Sequence, residues 1–196
     1  MMGTKIRTFV GAGLIALTAS LGAPTPAQAD NFDYDGCASN QEVCWQTNKN
    51  IYTYYDANLP EVWKDGVRAA RTEEYDPLSE WQTYYGSHAD ADVHYLRDDG
   101  IGADVMGSYF CSTLAGGGYC SHAHVRFNHA FPSMWQSLRK KVACHETGHS
   151  VGLHHRDPYN YSIATYGCLI SGKVEGNYTG HLNSHNAYHM QNSGPY

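Results

Sequence analysis

The stretch His145-Glu146-Thr147-Gly148-His149-Ser150-Val151-Gly152-Leu153-His154-His155 decides how this chain is read. On a helix, His145 and His149 stand one turn apart on the same side, so both imidazoles reach a single ion. Glu146 adjoins the first of them and is placed to take a proton from water activated at that ion. Gly152 can adopt the left-handed conformation that ends a helix. His155, three residues further on, can then return beneath the ion as a third ligand, with His154 its one competitor. Three protein ligands leave a coordination position open, as in catalytic rather than structural zinc. The chain carries 12 histidines in 196 residues, which makes accidental pairs common. The full set of fixed positions is still improbable by chance, on the order of one in ten thousand for a chain of this length.

Working outward, Pro132-Ser133 is expected to open the helix, with Gln136 completing a capping box on Ser133. Trp135, Leu138, Val142, His145 and His149 share one face, so an apolar stripe runs directly into the two histidines. Strands are expected at Ile51–Tyr55, Trp81–Tyr85, Asp92–Leu96, Val105–Cys111 and, after the Gly116-Gly117-Gly118 turn, His122–Phe127. A first helix is expected from Pro60 to about Thr72, with Val62, Val67 and Ala70 on one face. His181, His185 and His189 fall four apart on an expected C-terminal helix. No carboxylate joins them, so they read as a packing or solvated face rather than a second metal site.

His145 to His155 matches the zinc signature His-Glu-x-x-His-x-x-Gly-x-x-His at every defining position, and the chain resembles the metzincin metallopeptidases. Within them it is most similar to matrixin-like domains, in particular small secreted actinobacterial metalloproteases. Ala91-Asp92-Val93-His94-Tyr95 resembles the third matrixin strand, and Val105 to Phe110 the strand at the cleft edge. The likeness spans roughly Ile51 to Met190, and the zinc helix alone is specific. It implies an α+β, zincin-like single domain: a five-stranded mixed, twisted sheet, an N-terminal helix, a zinc-binding active-site helix and a C-terminal helix. It also implies one catalytic Zn2+ on His145, His149 and His155, with Glu146 as general base. A substrate peptide would lie extended along Gly107, Ser108, Tyr109 and Phe110, where an exposed edge offers unpaired N–H and C=O groups.

The departures are specific. Metzincins carry a methionine in a turn below the zinc; here Gly167-Cys168-Leu169-Ile170-Ser171 stands there, so Leu169 (or Ile170) takes its place as hydrophobic support. Matrixins also hold a second zinc and calcium ions. Ser108 stands where that strand would supply a histidine, and Arg126 and Asn128 where acids would bind Ca2+. His124 falls near one structural ligand, but one ligand is not a site. The Asp98–Asp104 loop offers acids to calcium, although it reads first as a solvated acidic turn. The cysteine-containing inhibitory motif of matrixins is not recognisable between Asp30 and Gln46.

The rest of the chain sets the context. Lys5 and Arg7, the apolar run Phe9 to Leu21 and the small residues of Ala27-Gln28-Ala29 read as a secretory signal peptide over residues 1–29, with cleavage after Ala29. The apolar run is shorter than the roughly 20 residues of a membrane span. Residues 30–50 form a segment pinned by cysteines, and residues 51–196 the catalytic domain. A formal charge of -6 argues against nucleic acid or an anionic membrane as partner. The expected partner is an extended peptide or protein substrate, met by a monomer. Cys37, Cys44, Cys111, Cys120, Cys144 and Cys168 favour disulfides in an exported protein, and sequential pairing is the simplest arrangement. No Cys-x-x-Cys pair suggests a cysteine zinc site. Two functions follow: a secreted zinc endopeptidase, or a zinc-binding protease scaffold acting as a protein-binding module. The intact Glu146 favours the first.

Overall fold

Residue alternation along the strands gives this chain a sheet with two unlike faces. The computed structural model describes residues 43–78, 82–131, 134–155, 167–170 and 180–192. It contains strands β1 (Trp45–Gln46), β2 (Asn50–Tyr55), β3 (Gln82–Tyr85), β4 (Val93–Arg97), β5 (Gly107–Ala115) and β6 (Tyr119–Phe127). The helices are α1 (Glu61–Ala70), α2 (Gln136–Ser150) and α3 (Ser184–Asn192). The protein is thus a mixed α/β fold with one sheet and three described helices. On β6, Ala123, Val125 and Phe127 are fully buried. The residues between them, His122, His124 and Arg126, face the other way and are partly exposed. That is the period-two pattern of a strand with one face on a core.

The strand order is β3-β2-β4-β6, all parallel, with β1 also parallel to β6 at Trp45↔Tyr119. Only β5 runs antiparallel, along the opposite side of β6 from β4. Among the described residues β5 has no second partner, so one side of it is an open edge. The sheet has one strand more than expected, because the short β1 joins it. The β5–β6 hairpin is also longer than expected, ending at Ala115↔Tyr119 rather than at Cys111 and His122. Gly117 and Gly118 adopt φ of 80° and 84°, conformations open to glycine that let the chain reverse tightly and pairing continue. The disulfide Cys111–Cys120 crosses this hairpin.

α1 and α2 cover the buried face. Trp63 of α1 stacks on Phe127 at 4.4 Å between ring centres, and Val67 and Ala70 complete the same buried side. Pro60 keeps an extended ψ of 146° as the N-cap, so α1 begins at Glu61. Val62 is exposed, off the buried face expected for it. Past Ala70 a π-helical turn, Arg71–Tyr75, carries the chain beyond the expected end and buries Tyr75.

The start of α2 also corrects the sequence reading. Its N-cap is Trp135, with an extended ψ of 161° and no side-chain cap. Gln136 is therefore the first helical residue and cannot occupy the third position of a capping box; Ser133 lies outside the described residues. Trp135 is half exposed, so the apolar stripe starts at Leu138. His181 precedes α3 instead of lying on it, while His185 and His189 are buried on that helix. The expected signal peptide (residues 1–29), Cys37 and Ser171 also lie outside the described residues. No described helix is long and apolar enough to cross a membrane.

Candidate metal centre

The last turn of α2 sets the two histidines and ends the helix with one group of hydrogen bonds. Gly152, at φ 91°, reverses the chain. The Leu153 N–H then donates to the Gly148 carbonyl at 2.9 Å, and the Gly152 N–H to the His149 carbonyl at 3.3 Å. This pair of bonds is the Schellman arrangement, which needs a left-handed residue at that position. The Leu153 carbonyl turns back and accepts from His149 Nδ1 at 2.6 Å. His145 Nδ1 donates to the Cys168 carbonyl at 3.0 Å. Each assignment follows from the acceptor, since a carbonyl can only receive a proton. Both Nε2 atoms are thereby left as acceptors.

Those two Nε2 atoms face each other at 3.1 Å. Two imidazole lone pairs at that distance repel unless a cation lies between them. Two nitrogens bound tetrahedrally to one zinc ion stand about 3.3 Å apart. His155 completes the group: the ligand atoms of His145, His149 and His155 all lie within 4.8 Å of one another. Its ring is 5.4 Å from His145 and 5.1 Å from His149. The donor set is that of a three-histidine ion site, with His155 solvent-exposed.

Burial sets the charge states. It holds His145 well below the usual imidazole range and pushes His149 down to about 3, with neighbouring imidazoles adding to both effects. Neutral rings are the metal-binding form. Burial also pushes the Glu146 carboxyl up to about 8, against the opposing pull of Lys141 and Arg126. These shifts have a consequence for the metal-free protein. Counting Glu146, His145 and His149 alone, between about pH 4.5 and 6.5 the unfolded chain protonates both of these histidines, whereas the native state protonates only Glu146. The unfolded state then holds a net excess of about one proton, so stability rises with pH in that window, and His155, also lowered by burial, acts in the same direction. Acidification from pH 6.5 to 4.5 should destabilise the chelator-treated protein by about 1.4 kcal/mol per pH unit from those three groups. Urea denaturation at the two pH values measures it, and a flat profile would contradict these shifts.

Beneath the histidines runs a 3-10 turn, Gly167–Leu169. The disulfide Cys144–Cys168 ties it to α2, as the sequential pairing expected. Cys44 is also disulfide-bonded, and its expected partner Cys37 lies outside the described residues. Closing the Cys144–Cys168 loop contributes roughly 3 kcal/mol by chain-entropy arguments. Leu169, expected with Ile170 as the alternative to give hydrophobic support in this turn, is fully buried, and Ile170 is buried too. Leu169 lies so close to α2 that a Cβ on Gly148 would come within 3.1 Å of its methyls. Lys141, itself buried, donates to the Ile170 carbonyl. Tyr75, delivered by the π turn, donates to the Cys144 carbonyl at 2.6 Å.

An open cleft of about 480 Å³ runs between α2 and β5. The three histidines and Glu146 line one wall; Gly107, Ser108 and Tyr109 of the open edge line the other. Phe110 does not line it; its ring packs edge-on against His124 on the far face. No family model matches this chain, and no curated protein matches it either. The site therefore rests on its own geometry.

Gly107 sets the width of that cleft. A Cβ there would stand 2.7 Å from Val142 Cγ1 and 2.9 Å from Glu146 Cγ. Gly107→Ala should thus force β5 and α2 apart or displace Glu146, destabilising the fold by about 1–3 kcal/mol. The midpoint of urea unfolding tests this; an unchanged midpoint would show that the cleft wall yields freely.

The sequence reading missed several participants. Lys141 and Tyr75 carried no motif, and their contacts join segments far apart in the chain. Two further groups could hold an ion: His94, His122 and His124, and Glu73, Glu74 and His181. In the second, Glu74 Oε1 lies 2.6 Å from His181 Nδ1 and 2.7 Å from Lys140 Nζ, so a carboxylate does join His181. Two of the three acids of the 98–104 loop are engaged by the chain itself, and the third, Asp104, is exposed at the cleft. Asp98 pairs with Arg126, while Asp99 pairs with Arg97 and accepts from the His129 N–H at 2.7 Å.

Proposed function

We propose that this chain is a secreted, zinc-dependent endopeptidase of metzincin type, cleaving peptide bonds in extended segments of protein substrates. One observation carries the reading. Three neutral imidazoles converge at a cleft whose opposite wall is a strand edge without a second partner among the described residues, with a carboxyl group beside them. His145, His149 and His155 would hold the ion. When bound, a divalent ion supplies Lewis-acid polarisation of the substrate carbonyl and a field that favours the ionised form of Glu146.

The remaining roles belong to the chain. Backbone N–H and C=O groups of the β5 edge from Gly107 align an extended peptide across the cleft, as an added strand. Glu146, as carboxylate, accepts the proton of the attacking water; as carboxylic acid it passes that proton to the leaving amine. Carbonyl anchors on both Nδ1–H groups keep the ligand nitrogens facing the ion throughout. The disulfides support an extracellular setting.

Casein hydrolysis with and without chelator, followed by zinc restoration, tests the proposal. Cleavage that chelator abolishes and zinc restores is the expected result. Stoichiometric zinc with no cleavage of casein or gelatin would favour the alternative of a binding scaffold.

A further inference from the structure

The sheet face away from α2 carries a second cluster of histidines that peptide hydrolysis does not use. On β6, His122 and His124 flank the buried Ala123, so period-two alternation points both to the same face. His94 on β4 is the register partner of His124. Its strand neighbours Val93 and Tyr95 are fully buried on the helix side, which turns His94 to the far side with the other two. The rings meet there: His94 lies 4.3 Å from His122 and 5.5 Å from His124, centre to centre. One nitrogen from each of the three lies within 4.8 Å of the others.

A second observation points to a ligand. His94 is only 4% exposed, and its Nε2 is buried with no hydrogen-bond partner among the described residues. Leaving such a nitrogen unsatisfied costs about 1–3 kcal/mol, and ring packing does nothing to satisfy it. Stacked aromatics would serve the packing as well with phenylalanine, without that penalty. His122 and His124 are half-buried, so the cluster opens to solvent on one side. His88, exposed and 4.6 Å ring to ring from His94, stands beside it as a source of a fourth nitrogen. Of the three, only His124 falls near a ligand of the second zinc that matrixins hold; His94 and His122 have no counterpart in that set, and Ser108 occupies the place where the matrixin strand would supply its histidine.

We propose that His94, His122 and His124 bind a second divalent ion of the nitrogen-seeking class, zinc foremost, that pins β4 to β6 on the face opposite the cleft. Three imidazoles without a carboxylate suit zinc over calcium or magnesium, which take oxygen donors. The site is independent of whether the first one hydrolyses peptides. An ion there would brace the two strands that position the β5 edge.

The test is an ion count. Protein stripped by chelator, refilled with zinc chloride and freed of excess should hold two ions per chain. His122→Ala should hold one, retain casein hydrolysis and lose several degrees of the zinc-dependent rise in Tm. His149→Ala should also hold one, but lose hydrolysis. Equal counts in wild type and His122→Ala would overturn the proposal, whatever the casein assay says. Should His122→Ala fail to fold, the wild-type protein still answers through imidazole 15N resonances. A second equivalent of zinc should shift those of His94, His122 and His124; resonances that stay still at two equivalents would overturn the site.

Discussion

Glu146→Gln is expected to cut casein turnover by about 10²–10⁴-fold while leaving the zinc content of the chain unchanged. Glutamine keeps the length and planarity of the side chain but cannot accept a proton. Glu146 is not among the convergent ligand atoms, which belong to the three histidines. It lies on the cleft wall, 7% exposed, close enough to Gly107 for shape to matter, and glutamine preserves that shape. The variant should be no less stable than wild type above pH 8, where the parent must bury an ionised carboxylate. Activity assays together with zinc measured after dialysis decide the matter. Loss of zinc along with turnover would mean that Glu146 holds the site together instead of moving a proton.

The second large effect separates adjacent histidines. His155→Ala should weaken zinc retention by orders of magnitude and abolish proteolysis, whereas His154→Ala should keep stoichiometric zinc and most activity. Past the Gly152 reversal, neighbouring side chains diverge. The His155 nitrogen joins the group formed by His145 and His149, and His154 is absent from that group. Removing one of three ligands also leaves two facing lone pairs with less to offset their repulsion. Zinc retained by His155→Ala and lost by His154→Ala would reverse the assignment.

What the sequence made legible was local. The helix end was readable because a glycine, a following turn and two histidines lie within a few residues, and the Schellman bonds use only those residues. The disulfide to Cys168 was the simplest pairing and occurs. The helix start was misread: Ser133 and Gln136 have box spacing, yet extended backbone at Trp135 delays the helix. Strand ends failed where tertiary pairing decides them, as in the hairpin extended by Gly117 and Gly118. The far-face cluster was hidden for a stronger reason. His94 and His124 meet only through a parallel register between β4 and β6, strands that β5 separates in the chain. The available hint was His122-Ala123-His124, an alternation that places two imidazoles on one face of any strand.

In the proposed site the hydrogen bonds on His145 and His149 would also bear on how an ion exchanges. Both rings are braced by backbone carbonyls before any ion arrives, one from the helix cap and one from the disulfide-tied turn. His155 follows the cap and is solvent-exposed. All three donor atoms already stand within 4.8 Å of one another without an ion, but they are held unequally: carbonyls of other residues fix the two helix rings, while His155 stands on the solvent side. If the group holds an ion as proposed, exchange would start at His155, and a substitution in the short segment after Gly152 would change residence time while leaving the two helix rings in place.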